Sequence, residues 1–181
     1  GNGYGFWPTI RQIPENEFLP ANNLEVSTQC KVSKNGNSHV YEYSWTNKSI
    51  SKQGVQDIYI GGLEDTSSSY APPGWEASSS SYMGARFFCS ADVDFVHTIR
   101  PGYTLQGFGT ISPAPPSIVS YHVQGLRTST PSVGDAEYRV DIQTNSVSGY
   151  TLGTSDTTQP FVPLNFLDTL SSYTTRGLSL G

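Results

Sequence analysis

The sequence predicts an all-β fold, an antiparallel β-sandwich preceded by an extended arm and followed by one short helix. Three observations predict it. Apolar and polar residues alternate along several short runs, the period of a half-buried strand. Asn-Gly, Gly-Gly and Pro-Gly pairs separate those runs, as hairpins and tight turns require. Composition leans the same way: 12% of residues are aromatic, eleven of them Tyr, and helical spacing is clear only near the C-terminus. On this reading residues 1–23 form the arm, 24–145 the sandwich, and 146–181 coil and a short helix linking to a following module.

The arm carries Tyr4, Phe6, Trp7, Ile10 and Ile13 among Pro8, Pro14 and Pro20. The prolines prevent a helix and keep the segment extended, so its side chains must dock on a sheet face or edge, of this chain or of a neighbouring copy. Leu24 to Val32 alternates cleanly, with Val26, Thr28, Cys30 and Val32 facing the core. Asn35-Gly36 is a type I′ hairpin signal, and His39 to Thr46 returns with His39, Tyr41, Tyr43 and Trp45 on one face. Val55 to Ile60 is a third strand, closed by Gly61-Gly62.

Residues 64–81 read as a long polar loop with two Ser runs and a Pro-Pro-Gly turn before Trp75. Met83 to Cys89 resumes extended structure, with Ala85, Phe87 and Cys89 on one face, whereas the pattern from Val93 to Ile99 does not decide. At Pro101-Gly102 the fixed φ of Pro and the freedom of Gly specify a type II turn. Tyr103 to Gly109 then runs as a strand interrupted by Gly107 and Gly109, where a bulge or close approach fits. Ile118 to Val123 follows, and Ala136, Tyr138, Val140 and Ile142 alternate as a last strand before coil over 145–162. Pro163 at N1, with Leu164, Leu167 and Leu170, predicts a helix over 163–173.

At 181 residues the chain suits one domain with a real core. A net charge of −5 with 14% charged residues argues against a nucleic-acid partner or a basic membrane patch. No run of eighteen apolar residues exists to cross a membrane as a helix, so membrane insertion is not expected. Few Lys and many Ser, Thr, Asn and Tyr suit a secreted or cell-surface protein, and a start at Gly-Asn-Gly-Tyr without Met suits a processed or excised chain.

Three segments together resemble a domain found near the N-terminus of bacterial secreted and cell-surface proteins: Tyr41 to Asn47, Ala71-Pro-Pro-Gly-Trp75, and Ile99-Arg-Pro-Gly-Tyr-Thr-Leu-Gln-Gly-Phe-Gly109. The resemblance implies an immunoglobulin-like sandwich, followed in relatives by a small helical module. Pro163 to Leu170 and the closing Ser179-Leu-Gly181 are similar to the linker entering that module. It carries over no catalytic residue. The order Cys30, Trp45, Cys89 also resembles true immunoglobulin domains, in which Trp packs on an inter-sheet disulfide. Phe87 stands where those domains place a Tyr, and some ninety residues follow Cys89, more than one closing strand needs.

Two cysteines on apolar strand faces in an exported protein predict a Cys30–Cys89 disulfide, with two buried free thiols as the alternative. His39, His97 and His122 lack zinc-site spacing, so no metal is expected. Asp92, Asp94, Asp135 and Glu137 are the oxygen ligands a calcium ion would find at loop ends, solvated carboxylates being their plainer role. No cofactor is expected. The Ser residues sit in no nucleophile elbow, so the chain does not read as an enzyme. Tyr70, Trp75 and Tyr82 are the candidate platform for stacking on sugar rings, with Trp75 as a core plug on the competing reading. The functional expectation is therefore a non-catalytic structural or adhesive module with copies of itself or other surface proteins as partners, its arm covering its own sheet edge or, in a self-assembling version, a neighbour's. A carbohydrate-binding module, with polysaccharide as partner, is the alternative.

Overall fold

A computed structural model describes residues 20–62, 68–80, 84–89, 97–127, 135–154 and 179–180. In chain order these form β1 (Val26–Asn35), β2 (Ser38–Asn47), β3 (Val55–Ile60), β4 (Ser68–Tyr70), β5 (Trp75–Ser80), β6 (Gly84–Cys89), β7 (Thr104–Ser112), β8 (Pro116–Gly125), α1 (Asp135–Thr144), β9 (Val147–Thr154) and β10 (Ser179–Leu180). The strands build two sheets: β10-β1-β2-β7-β4, called sheet A, and β5-β6-β3-β8-β9, called sheet B. All pairings are antiparallel except the short parallel one of β10 on β1. The all-β sandwich expected from the sequence is what the chain forms.

Alternation along β1 and β2 puts Thr28, Cys30, Val32, Tyr41, Tyr43 and Trp45 inside, as their period of two requires. Sheet B answers with Ile58, Ile60, Ala85, Phe87, Cys89 and Val123. Aromatic rings bridge the layers edge to face: Trp45 on Tyr121 at 5.0 Å, and Trp75 and Phe87 on Phe108 at 5.0 and 5.4 Å. Such contacts add to area burial because ring edges are positive and faces negative. The buried hydroxyls of Tyr41 and Tyr43 donate to the carbonyls of Ala114 and Leu152, so neither phenol is stranded in the core.

Several local expectations shift. The hairpin pairs Asn35 with Ser38, so its two-residue loop is Gly36-Asn37, one residue later than Asn35-Gly36. Gly36 supplies the positive φ, +62°, that the first loop position demands. The stretch read as a polar loop contains β4 and β5, both edge strands. The run Ala136 to Ile142 is the helix α1, not a strand: Ile142 is buried while Val140 is 56% exposed, although a strand would put both on one face. The coil expected after residue 145 contributes β9, paired along β8. Arm residues Tyr4, Phe6, Trp7, Ile10 and Ile13, the helix expected over 163–173, and Tyr82, Asp92 and Asp94 lie outside the described residues.

The Cys30–Cys89 bridge is not formed, and both thiols are free and buried. The strand order explains why. β1 packs against β9, whereas Cys89 lies on β6, three strands away across sheet B. Three strand spacings are about 14 Å, twice what a disulfide spans between Cα atoms. Each thiol has a polar neighbour of its own: Cys30 the Tyr43 hydroxyl, and Cys89 the Gln56 carbonyl at 3.8 Å.

Candidate functional site

Two concave surfaces flank β7. The first is a groove of about 320 Å³ on the outer face of sheet A. Strand register lines up its residues in rows. Lys31 pairs with Glu42, Glu42 with Gly109, and Gly109 with Tyr70, one row across β1, β2, β7 and β4. Beside it runs a second row, Gln29, Ser44 and Gln106. The bulge between Tyr43 and Ser44 falls between these rows, with Gly107, at φ +102°, alongside it on β7.

Glycine at 109 makes this floor possible. A Cβ there would lie 2.1 Å from Tyr70 Cζ, so the ring covers the glycine backbone and stays 38% exposed. Burial, and to a lesser degree the charge on Glu42, raises the Tyr70 pKa, which keeps the hydroxyl a neutral donor and acceptor. The groove thus offers one aromatic surface ringed by amide, hydroxyl, carboxylate and ammonium groups.

The second surface is a cleft of about 260 Å³ at one end of the sandwich, lined by Pro73, Trp75, His97, Arg100, Tyr103 and Leu105, among others. Its rim is the turn Arg100-Pro101-Gly102-Tyr103, closed by Tyr103 N donating to Arg100 O at 3.1 Å, with Gly102 at φ +89°. The type II chemistry read from Pro-Gly is present. Asn47, fully buried at the end of β2, clamps this turn to the next loop. Its Nδ2 donates to the carbonyls of Ile99 and Gln53, at 2.8 and 2.9 Å. Its own backbone bonds to Gly102 N and Tyr103 O.

Trp75 is a wall of this cleft, not part of a platform. It is 7% exposed, with its Nε1 donating to His97 O at 2.7 Å and its ring edge-on to Phe108. Tyr70 and Trp75 therefore serve different surfaces, one outside sheet A and one between the sheets. The three histidines stand on separate elements. His39 is on β2 near Tyr41, His97 lies against Gly74, and His122 on β8 has its Nδ1 3.1 Å from the Ser146 hydroxyl. Burial lowers the His122 pKa.

The remaining charged pairs hold elements together. Arg127 binds Asp141 of α1 through both its terminal nitrogens, and Gln124 and Asn145 donate to the same carboxylate. Burial would raise the Asp141 pKa, but these donors outweigh it and lower it. Asp57 accepts from Arg86 at 2.8 and 3.2 Å, and there burial prevails and the pKa is raised. The Arg86 guanidinium also lies 4.2 Å from the centroid of the Phe88 ring. Asp135 and Glu137 lie in the first turn of α1.

Compared with known proteins, the chain matches no family model, no curated protein and no solved structure.

Proposed function

We propose that the chain is a non-catalytic adhesive module of a bacterial secreted or cell-surface protein, immunoglobulin-like in kind, and that it adheres by holding polysaccharide in the outer groove of sheet A. The observation that carries this reading is the row Lys31, Glu42, Gly109 and Tyr70, with Gln29, Ser44 and Gln106 beside it. A pyranose presents an apolar face of C–H groups and an equatorial rim of hydroxyls. Tyr70 matches the face, and the surrounding amide, hydroxyl and charged groups match the rim. The groove lies on strands rather than loops, so its side chains are spaced by the register and need little ordering when ligand binds.

This reading keeps the adhesive role and takes the sugar-binding alternative as its means, with Tyr70 from the expected platform and without Trp75. It predicts that soluble neutral β-glucan or xylan oligosaccharides bind with modest affinity and are released unchanged. Calorimetric titration with cellohexaose and xylohexaose tests it. Tyr70→Ala should weaken the better ligand by about tenfold, which corresponds to about 1.4 kcal/mol. Identical titrations for wild type and Tyr70→Ala would show that the groove is not the adhesive surface.

A further inference from the structure

We infer that the end cleft is a second, separate binding site, one that takes a sugar unit bearing a carboxylate, as in a polyuronate. The chain has a net charge of −5, yet Arg100 stands exposed at the cleft rim and has no ion-pair partner among the described residues. The described arginines that do form ion pairs, Arg86 and Arg127, are committed to Asp57 and Asp141. A guanidinium left uncommitted beside a concave surface presents two parallel donors to any carboxylate that enters.

The walls select what carries that carboxylate. Trp75, Leu105, Pro73 and the 66%-exposed Tyr103 make an aromatic and aliphatic slot. Pockets that enclose drug-sized ligands run roughly 300–1,000 Å³, so a cleft of about 260 Å³ is sized for a single ring. One ring with an apolar face, a hydroxyl rim and one carboxylate describes a hexuronate.

The cleft is also rigid before ligand arrives. The Asn47 side chain fixes Ile99, the bond from Tyr103 N to Arg100 O closes the turn, and the bond from Trp75 Nε1 to His97 O locks the indole. Such preorganisation means that binding orders little more than the Arg100 side chain. The cleft and the Tyr70 groove take successive residues of β7, Thr104 and Leu105 for the cleft and Gln106, Gly107 and Phe108 for the groove. An acidic glycan lying in the groove could therefore end in the cleft. The inference shares the glycan class of the adhesive reading but rests on its own residues.

The test is calorimetric titration of the intact chain with trigalacturonate and with its methyl ester, at low ionic strength. Wild type should bind the acid about tenfold more tightly than the ester, and added salt should shrink that difference because Arg100 is exposed. Arg100→Gln should lose the preference, binding acid and ester alike, while keeping the wild-type melting midpoint. Tyr103→Ala should weaken both ligands. No binding of trigalacturonate, equal affinity for acid and ester in wild type, or an Arg100→Gln variant that retains the preference would each overturn the inference. Tyr70→Ala run alongside separates the two proposals. If it binds the acid as wild type does while Arg100→Gln does not, the cleft stands as a separate site, and the groove reading is decided by the neutral-oligosaccharide titrations.

Discussion

A thiol reacts as its anion, and burial opposes that anion at Cys30, pushing its pKa up to about 12. Cys89 is equally enclosed, at 2% exposure, with its S–H turned to the Gln56 carbonyl. Both residues therefore behave as small core hydrophobes. The protein should show no thiol reactive toward a disulfide reagent at neutral pH while folded. In denaturant, without any reductant, it should show two. A count of zero in denaturant that rises to two only after reduction would mean that the strands bearing Cys30 and Cys89 approach far more closely than this sandwich allows. Asn47 works at the same scale, since one carboxamide satisfies two carbonyls and holds the loops that shape the cleft.

The β1–β2 hairpin isolates an element's dependence on one backbone angle. Gly36 has φ +62°, and a Cβ added there would meet nothing within 4 Å, so any penalty for replacing it is conformational and not steric. Gly36→Val should cost about 1–3 kcal/mol, because a β-branched residue resists positive φ. Chemical denaturation of the two proteins measures this directly, and an unchanged midpoint would move the turn elsewhere. The hairpin was legible because its register is local: alternation on both sides and an Asn-Gly pair between them leave one-residue ambiguity and little more. The Pro101-Gly102 turn was legible for the same reason. The run 135–144 was misread because its apolar residues fall two apart, which mimics a strand. Its helix is held by a distant partnership, Asp141 with Arg127 and Gln124, that no local pattern reveals. Acidic Asp135 and Glu137 in the first turn were the available signal. The edge strands β4 and β5 were hidden by Ser-rich composition. Tyr70 was picked out, but the Lys31–Glu42–Gly109–Tyr70 row could not be, since it depends on the register of four strands remote in sequence.

Across the whole molecule, acid stability depends, among the described residues, on three groups whose pKa values the fold moves in different directions. Burial lowers the pKa of His122 below its ordinary 6.5, so the unfolded chain takes up a proton at a pH where the folded chain does not. Stability that depends on neutral His122 is complete above pH 6.5 and is lost as pH falls toward the folded value. Asp57 acts oppositely. Its raised pKa makes the folded state the better proton acceptor, so acidification through that range returns stability. Asp141 comes last: its pKa lies below the ordinary 3.8, and its bonds to Arg127, Gln124 and Asn145 support the fold until pH drops through that lowered value. The urea midpoint should therefore begin to fall as pH drops through about 6.5, then flatten, then fall again below about pH 4. His122→Gln, which keeps a polar side chain facing Ser146 but cannot titrate, should remove the first decline and leave the second. A variant that retains the decline beginning near pH 6.5 would assign it to another group and remove His122 from the account.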